Sequence, residues 1–207
     1  MKSDLAVIAA DGGIERVIRG ILNRPESLGI RPLQGVKYSA FRPLDHGAYS
    51  RGHELAAQYQ NTHEHALLIF DFDWKGRPAD DASEMTREVE NKLAKIWGDN
   101  GRCVIIEPEL EIWIWSDSPH VAKALGWDEM PELRRWLEQQ KLWEAGSPKP
   151  ADPKKAYLRA IREKKIPPSN AIFNELAMNI SFNRCQDRSF LRLKKVLRDW
   201  FGKETHP

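Results

Sequence analysis

The feature that most constrains this chain is the run Leu67-Leu68-Ile69-Phe70-Asp71-Phe72-Asp73. A short, unbroken apolar run marks a strand buried on both faces, as in a parallel sheet. This one leads straight into two carboxylates and then into a Trp-Lys-Gly-Arg-Pro loop. Ligands of open α/β sheets collect outside the carboxyl ends of the strands, so acids placed there serve chemistry or metal binding rather than packing. In extended chain, residues two apart point to the same side. Asp71 and Asp73 are therefore expected to converge, and like charges held together raise a pKa unless a cation sits between them. Mg²⁺ is the natural choice, with Mn²⁺ as a substitute, because it takes hard oxygen ligands, usually one or two carboxylates, and keeps water for its substrate.

Other strands end in the same way. Residues 5–10 form an apolar run, followed by Asp11-Gly12-Gly13 and then by Ile14, Val17, Ile18, Ile21 and Leu22 at helical spacing. That reads as strand, glycine turn and helix, with Asp11 at the strand mouth. Glu15 falls in the first helical turn, either to assist Asp11 or simply to satisfy the helix dipole, and Pro25 and Gly29 are expected to close the helix. Residues 34–40 read as a second strand. The segment 42–60, which carries Asp45-His46-Gly47 and His53-Glu54, yields only a short helix at about 52–59. Met85, Val89, Leu93, Ile96 and Trp97 mark one apolar helix face, and residues 103–106 form a further buried strand that ends on Glu107. Strands alternating with helices predict an α/β fold, a mainly parallel central sheet flanked by helices. The carboxylates at the strand ends predict a shared acidic rim.

Beyond Pro108 the chain turns rich in tryptophan, at 113, 115, 127, 136 and 143, in short helices punctuated by Pro119, Gly126 and Pro131. These rings are expected in the core or at an interface rather than as stacking platforms for bases. A proline-rich loop at 147–153 suggests a division into an α/β domain, 1–146, and a C-terminal helical extension packed on it, 147–207, unless the two form one continuous domain. Helices are predicted at 153–164, 169–180 and 187–201, with Ser169 and Asp187 as N-caps. In the last of these, Phe190, Leu193, Val196, Leu197 and Trp200 would face the core and Arg188, Arg192, Lys194 and Lys195 the other side.

Composition narrows the class. A charged fraction of 30% and a hydrophobic fraction of 41% suit a soluble globular protein. No apolar run approaches the roughly 18 residues of a membrane span, and no secretory signal is read at the N-terminus. Cys103 and Cys185 are too few for a disulfide framework or a zinc site, which points to the reducing cytoplasm. From residue 151 onward there are thirteen Lys and Arg against six Asp and Glu, and before it nineteen against twenty-four. An acidic first part is thus joined to a basic second part, a pattern compatible with nucleic-acid contact, although solvated helix faces give the same count.

Several motifs together resemble one family. Ala10-Asp11-Gly12-Gly13-Ile14-Glu15 resembles the Glu-Gly-x-Thr-Glu turn that opens Toprim domains, and Asp71-Phe72-Asp73 their Asp-x-Asp. Glu111-Ile112-Trp113-Ile114-Trp115 is similar to a Glu-x-Trp-aliphatic signature of Toprim-like proteins encoded beside ATPases in bacterial anti-phage defence islands, of the overcoming-lysogenization-defect type. Asp152-Pro153-Lys154, Pro108-Glu109-Leu110-Glu111 and Cys185-Gln186-Asp187 extend the likeness over most of the chain.

The resemblance implies a Toprim-like fold and a Mg²⁺-dependent nuclease subunit, a hydrolase acting on phosphodiester bonds of DNA or RNA within a phage-defence system. It implies an ATPase or another defence-system subunit as partner; the absence of a long apolar run speaks for no membrane, and a homo-oligomer is left open. Metal ligands would be Asp11, Asp71, Asp73 and Glu111, the last selected over Glu107 and Glu109 by the family signature. Asp11, Glu15 and Lys154 would act in catalysis, Lys154 by neutralising the phosphate in the transition state. At the first position the family carries glutamate. Asp11 is shorter by one methylene, and the rival expectation is a catalytically inactive Toprim-fold subunit that binds partner proteins. The chain itself has no Gly-x-x-x-x-Gly-Lys-Ser/Thr loop for a nucleotide. No tyrosine has a context suited to a topoisomerase, and the histidines at 46, 53, 63 and 65 lack the spacing of a metal cluster.

Overall fold

The structure is a computed structural model that describes residues 1–40, 44–182 and 185–203. Arg42 and Pro43, which open the segment left largely unassigned above, lie outside it. Strand β1, Ser3–Ala9, is followed by α1, Gly12–Leu22, the short α2, Pro25–Leu28, β2, Val36–Ala40, and α3, Leu44–Ala57. Next come β3, His63–Asp71, α4, Ala82–Trp97, and β4, Gly101–Ile106. The remainder is helical: α5, Glu111–Ile114, α6, Pro119–Ala124, α7, Met130–Gln139, α8, Pro153–Glu163, α9, Asn170–Asn179, and α10, Arg188–Phe201.

All strand pairings are parallel, and the sheet order is β2-β1-β3-β4. The expected α/β sheet is therefore present. Strands β1, β3 and β4 are apolar and buried over residues 5–9, 66–70 and 103–106, where helices cover both faces, whereas the edge strand β2 carries Lys37 and Ser39 and is only partly buried. Passing from β1 to β2 the chain moves one way, and from β2 to β3 to β4 the other. Right-handed crossovers then put α1 on one face and α3 and α4 on the opposite one. The contacts follow this rule: α1 packs on β1 and β2, while α3 packs on β3 and α4, and α4 on β4. Helix α3 can approach because Gly52 has no side chain; a Cβ there would lie 2.6 Å from Leu68 Cδ1.

The C-terminal helices complete the layers. Helix α9 lies along α1, with Gly20 opposite Ala177, and α10 packs on β4. One hydrophobic core runs from Leu5 to Phe201 and includes residues from both sides of the proline-rich loop. Trp113, Trp115, Trp127 and Trp143 are buried in it, as expected of core tryptophans. Ser169 and Asp187 cap α9 and α10. The basic side of α10 is tied down in places: Arg192 bonds Cys103 O at 3.0 Å and Glu90 at 2.7 Å, and Lys195 pairs with Asp199 at 2.6 Å. Among the described residues no helix is long and apolar enough to cross a membrane.

Two elements differ from what the spacing predicts. Helix α1 stops at Leu22 with Asn23 as its C-cap, and Pro25 begins the separate turn α2, as suits a residue without an amide proton. Within the segment 42–60, where a short helix at about 52–59 is expected, the described part forms the fourteen-residue helix Leu44–Ala57. Its buried positions are Gly47, Ala48, Gly52 and Ala56, small residues that leave no strong apolar stripe in the sequence.

Candidate active site at the strand switch point

The order β2-β1-β3-β4 reverses direction between β1 and β3, and such a switch point opens a crevice at the carboxyl ends of the two strands. Register fixes what stands there. Ala9 pairs with Ile69, so two residues further on each strand come Asp11 and Asp71. They are sixty residues apart in sequence and neighbours at one strand end.

Asp11 is the N-cap of α1. Its Oδ1 accepts the amides of Gly13 at 2.7 Å and Ile14 at 2.8 Å, which satisfies two of the orphan donors of the first turn. Asp71 is only 8% exposed, and its Oδ1 has no hydrogen-bond partner. Burial pushes its carboxyl well above the usual carboxylate range, and Asp45, Glu111, Asp11 and Glu109 push it further. A buried acid that feels the charge of four others is costly as an anion.

Asp45, at the start of α3, reaches across from the neighbouring helix, and its Oδ1 accepts the Asp71 amide at 2.9 Å. Burial also raises its pKa; Asp11 adds to this, while the Asp71 amide and Lys154 oppose it. Glu109 and Glu111 arrive from the loop after β4. That loop is sewn to the end of β3, because Pro108 O accepts the amides of Phe72 at 3.1 Å and Asp73 at 2.9 Å. Both glutamates are buried, and burial, aided by Glu109 and Asp11, raises the pKa of Glu111.

Lys154 comes from the first turn of α8 and places Nζ 2.7 Å from Glu109 Oε2. Partial burial pulls its pKa down, but Glu109, Glu111 and Asp71 outweigh this and raise it. It sets a positive charge beside Glu109, Glu111 and Asp71. The helix that carries it is held in place by Trp115, whose Nε1 donates to Pro153 O at 3.0 Å, and the adjoining Trp113 ties to α10 through Asp187 at 3.1 Å and Ser189 at 2.7 Å. The separate motifs at 111–115, 152–154 and 185–187 thus meet in one place.

Four of the residues singled out from the sequence are therefore brought together: Asp11, Asp71, Glu111 and Lys154. Two are not. Asp73 lies past the end of β3, where the extended alternation has ceased; its side chain is 60% exposed and pairs with Arg77 at 3.0 Å. Glu15 pairs with Arg19 at 2.7 Å, on the side of α1 near Tyr38. Asp45 and Glu109 join the group instead, one from a segment without a clear pattern and one passed over in favour of Glu111. The histidines disperse: His65 packs on Trp200 and Phe201, His63 on Tyr59, and His46 on Trp74.

Among the described residues, no three His, Cys, Asp or Glu side chains form a ready-made metal cage. The carboxylates are electrostatic neighbours rather than preset ligands. They nevertheless fit a hard divalent cation, since the donors are all oxygens and the unpartnered Asp71 oxygen has an unmet need for positive charge. A hollow of about 770 Å³ lies elsewhere, bordered by Trp115, Arg134, Trp143 and Lys149, and none of these carboxylates lines it. No family model, curated protein or solved structure matches the chain.

Proposed function

We propose that the acidic crevice binds Mg²⁺ and that the protein is a metal-dependent phosphodiesterase of the Toprim-like kind, cutting DNA or RNA as part of a phage-defence system with an ATPase or similar partner. The observation that carries this reading is the buried, unpartnered Asp71 oxygen at the switch point, on which the charges of Asp45, Glu111, Asp11 and Glu109 act. Asp71, Asp11 and Glu111 would hold the cation. The bound metal supplies charge neutralisation for a phosphodiester and an acidified water.

The residues of the chain do the rest. Asp11 stays oriented because the α1 amides hold one of its oxygens, leaving the other for a ligand. The paired Lys154 and Glu109 present a positive and a negative group side by side, suited to meeting phosphate charge and to accepting a proton from water.

A second reading has its own support. Asp11 already has a structural task as a helix cap, and a chain that retains its acids for folding could act as an inactive, partner-binding subunit of the same kind of system. Purified protein incubated with supercoiled plasmid and with single-stranded DNA and RNA, in Mg²⁺ or Mn²⁺, separates the two. The nuclease reading predicts cleavage that falls at least ~100-fold in Asp71→Asn, and by much less in Asp73→Asn, whose side chain is exposed and paired with Arg77. Absence of cleavage with every substrate and metal would select the inactive subunit.

A further inference from the structure

Asp45 has a place in this site that the family resemblance does not assign. Strand β1 leaves the sheet at Asp11 to begin α1, and Ala10 N to Ile69 O, at 3.0 Å, is the last backbone bond between it and β3. The amide of Asp71 points to the same side of β3 as Ile69 O and meets no further strand. Asp45 fills that position from α3, with Oδ1 2.9 Å from the Asp71 amide. The same carboxylate is near enough to Asp71, Asp11 and Lys154 to act on their charges.

A cap for one amide needs only a neutral acceptor. A carboxylate placed beside a buried acid adds repulsion that Lys154 offsets only in part, and an entering cation would give its charge a use. A second observation points to that ligand: the Asp71 side chain is more than nine-tenths buried and its Oδ1 has no partner.

We propose that Asp45 is a further carboxylate of the divalent-cation site, fixing the end of β3 through one oxygen and contributing its negative charge to the cation. This rests on the reading of the crevice as a metal site, but not on the nuclease activity. Asparagine at position 45 separates the two roles, because its amide oxygen can still accept the Asp71 N–H while the charge is gone.

Mn²⁺ binding to the intact protein, followed by the electron paramagnetic resonance of the free ion and without nucleic acid, is the test. Asp45→Asn is expected to melt in EDTA at or above the wild-type temperature while binding Mn²⁺ about 10–100-fold more weakly. Asp45→Ala should lose both the bond and the affinity. Equal Mn²⁺ affinity in the wild type and Asp45→Asn would overturn the assignment of Asp45 alone, and a wild type that binds no Mn²⁺ would overturn it together with the metal site. Asp45-dependent Mn²⁺ binding in a protein that cleaves nothing would uphold the assignment and remove the nuclease reading.

Discussion

At neutral pH in EDTA, Asp71→Asn is expected to melt at a higher temperature than the wild-type protein. Most substitutions of buried residues destabilise, so the direction is diagnostic. Asp71 is buried, one of its oxygens has no partner, and burial together with Asp45, Glu111, Asp11 and Glu109 raises its pKa. A raised folded-state pKa means that the native protein holds the proton more tightly than the unfolded chain. The associated stability is therefore full below the unfolded value of about 4 and is lost as pH rises through the folded value.

Above that window the wild type bears the whole repulsion and the asparagine variant none of it. Each kcal/mol relieved should raise the melting temperature by about 2–4 °C for a chain of this size, and the gap should close as pH falls toward 4. Calorimetric scans across that range check the sign. A variant that melts well below the wild type at neutral pH would show that the Asp71 charge supports the fold by itself.

Trp115→Ala should have the largest effect on stability. The ring is 1% exposed and packs edge-on against Trp143 with centroids 5.3 Å apart. Emptying such a site costs about 3–5 kcal/mol, or roughly 6–20 °C in melting temperature. Trp115 also holds Pro153 O, immediately before Lys154. Activity is thus expected to fall even at temperatures where the variant remains folded. Trp115→Phe retains most of the volume but strands the Pro153 carbonyl, a loss of about 1–3 kcal/mol. Urea denaturation of both variants measures this, and a loss below ~1 kcal/mol in the alanine variant would contradict the anchoring role.

What could be read from the sequence follows from where the signals are strong. The strands were legible because a parallel sheet covered on both faces requires unbroken apolar runs, as at 5–10, 67–70 and 103–106. The acidic rim was legible because β1 and β3 each run directly into an acid. Asp71 and Asp73 do not converge, because alternation holds only while the chain stays extended and β3 ends at Asp71. Beyond that point Asp73 is governed by its loop and by Arg77. Asp45 stayed hidden for a different reason. Helix α3 meets the sheet through glycine and alanine, so hydrophobic periodicity gives it little signal, and a carboxylate on an unrecognised helix has no place to be assigned to. Glu109 and Glu111 both enter the group because the loop after β4 is bound to the end of β3 and the chain is tightly turned there, a geometry that simple strand or helix periodicity does not describe.

We propose the carboxylates at the β1–β3 switch point as a site for a divalent cation. Isothermal titration of the purified wild-type protein with Mn²⁺, alongside melting curves in EDTA and in Mg²⁺, tests it most directly. Saturable binding and a higher melting temperature with metal are expected, both abolished in Asp71→Asn. No binding heat, with a melting temperature that metal leaves unchanged, would contradict that proposal.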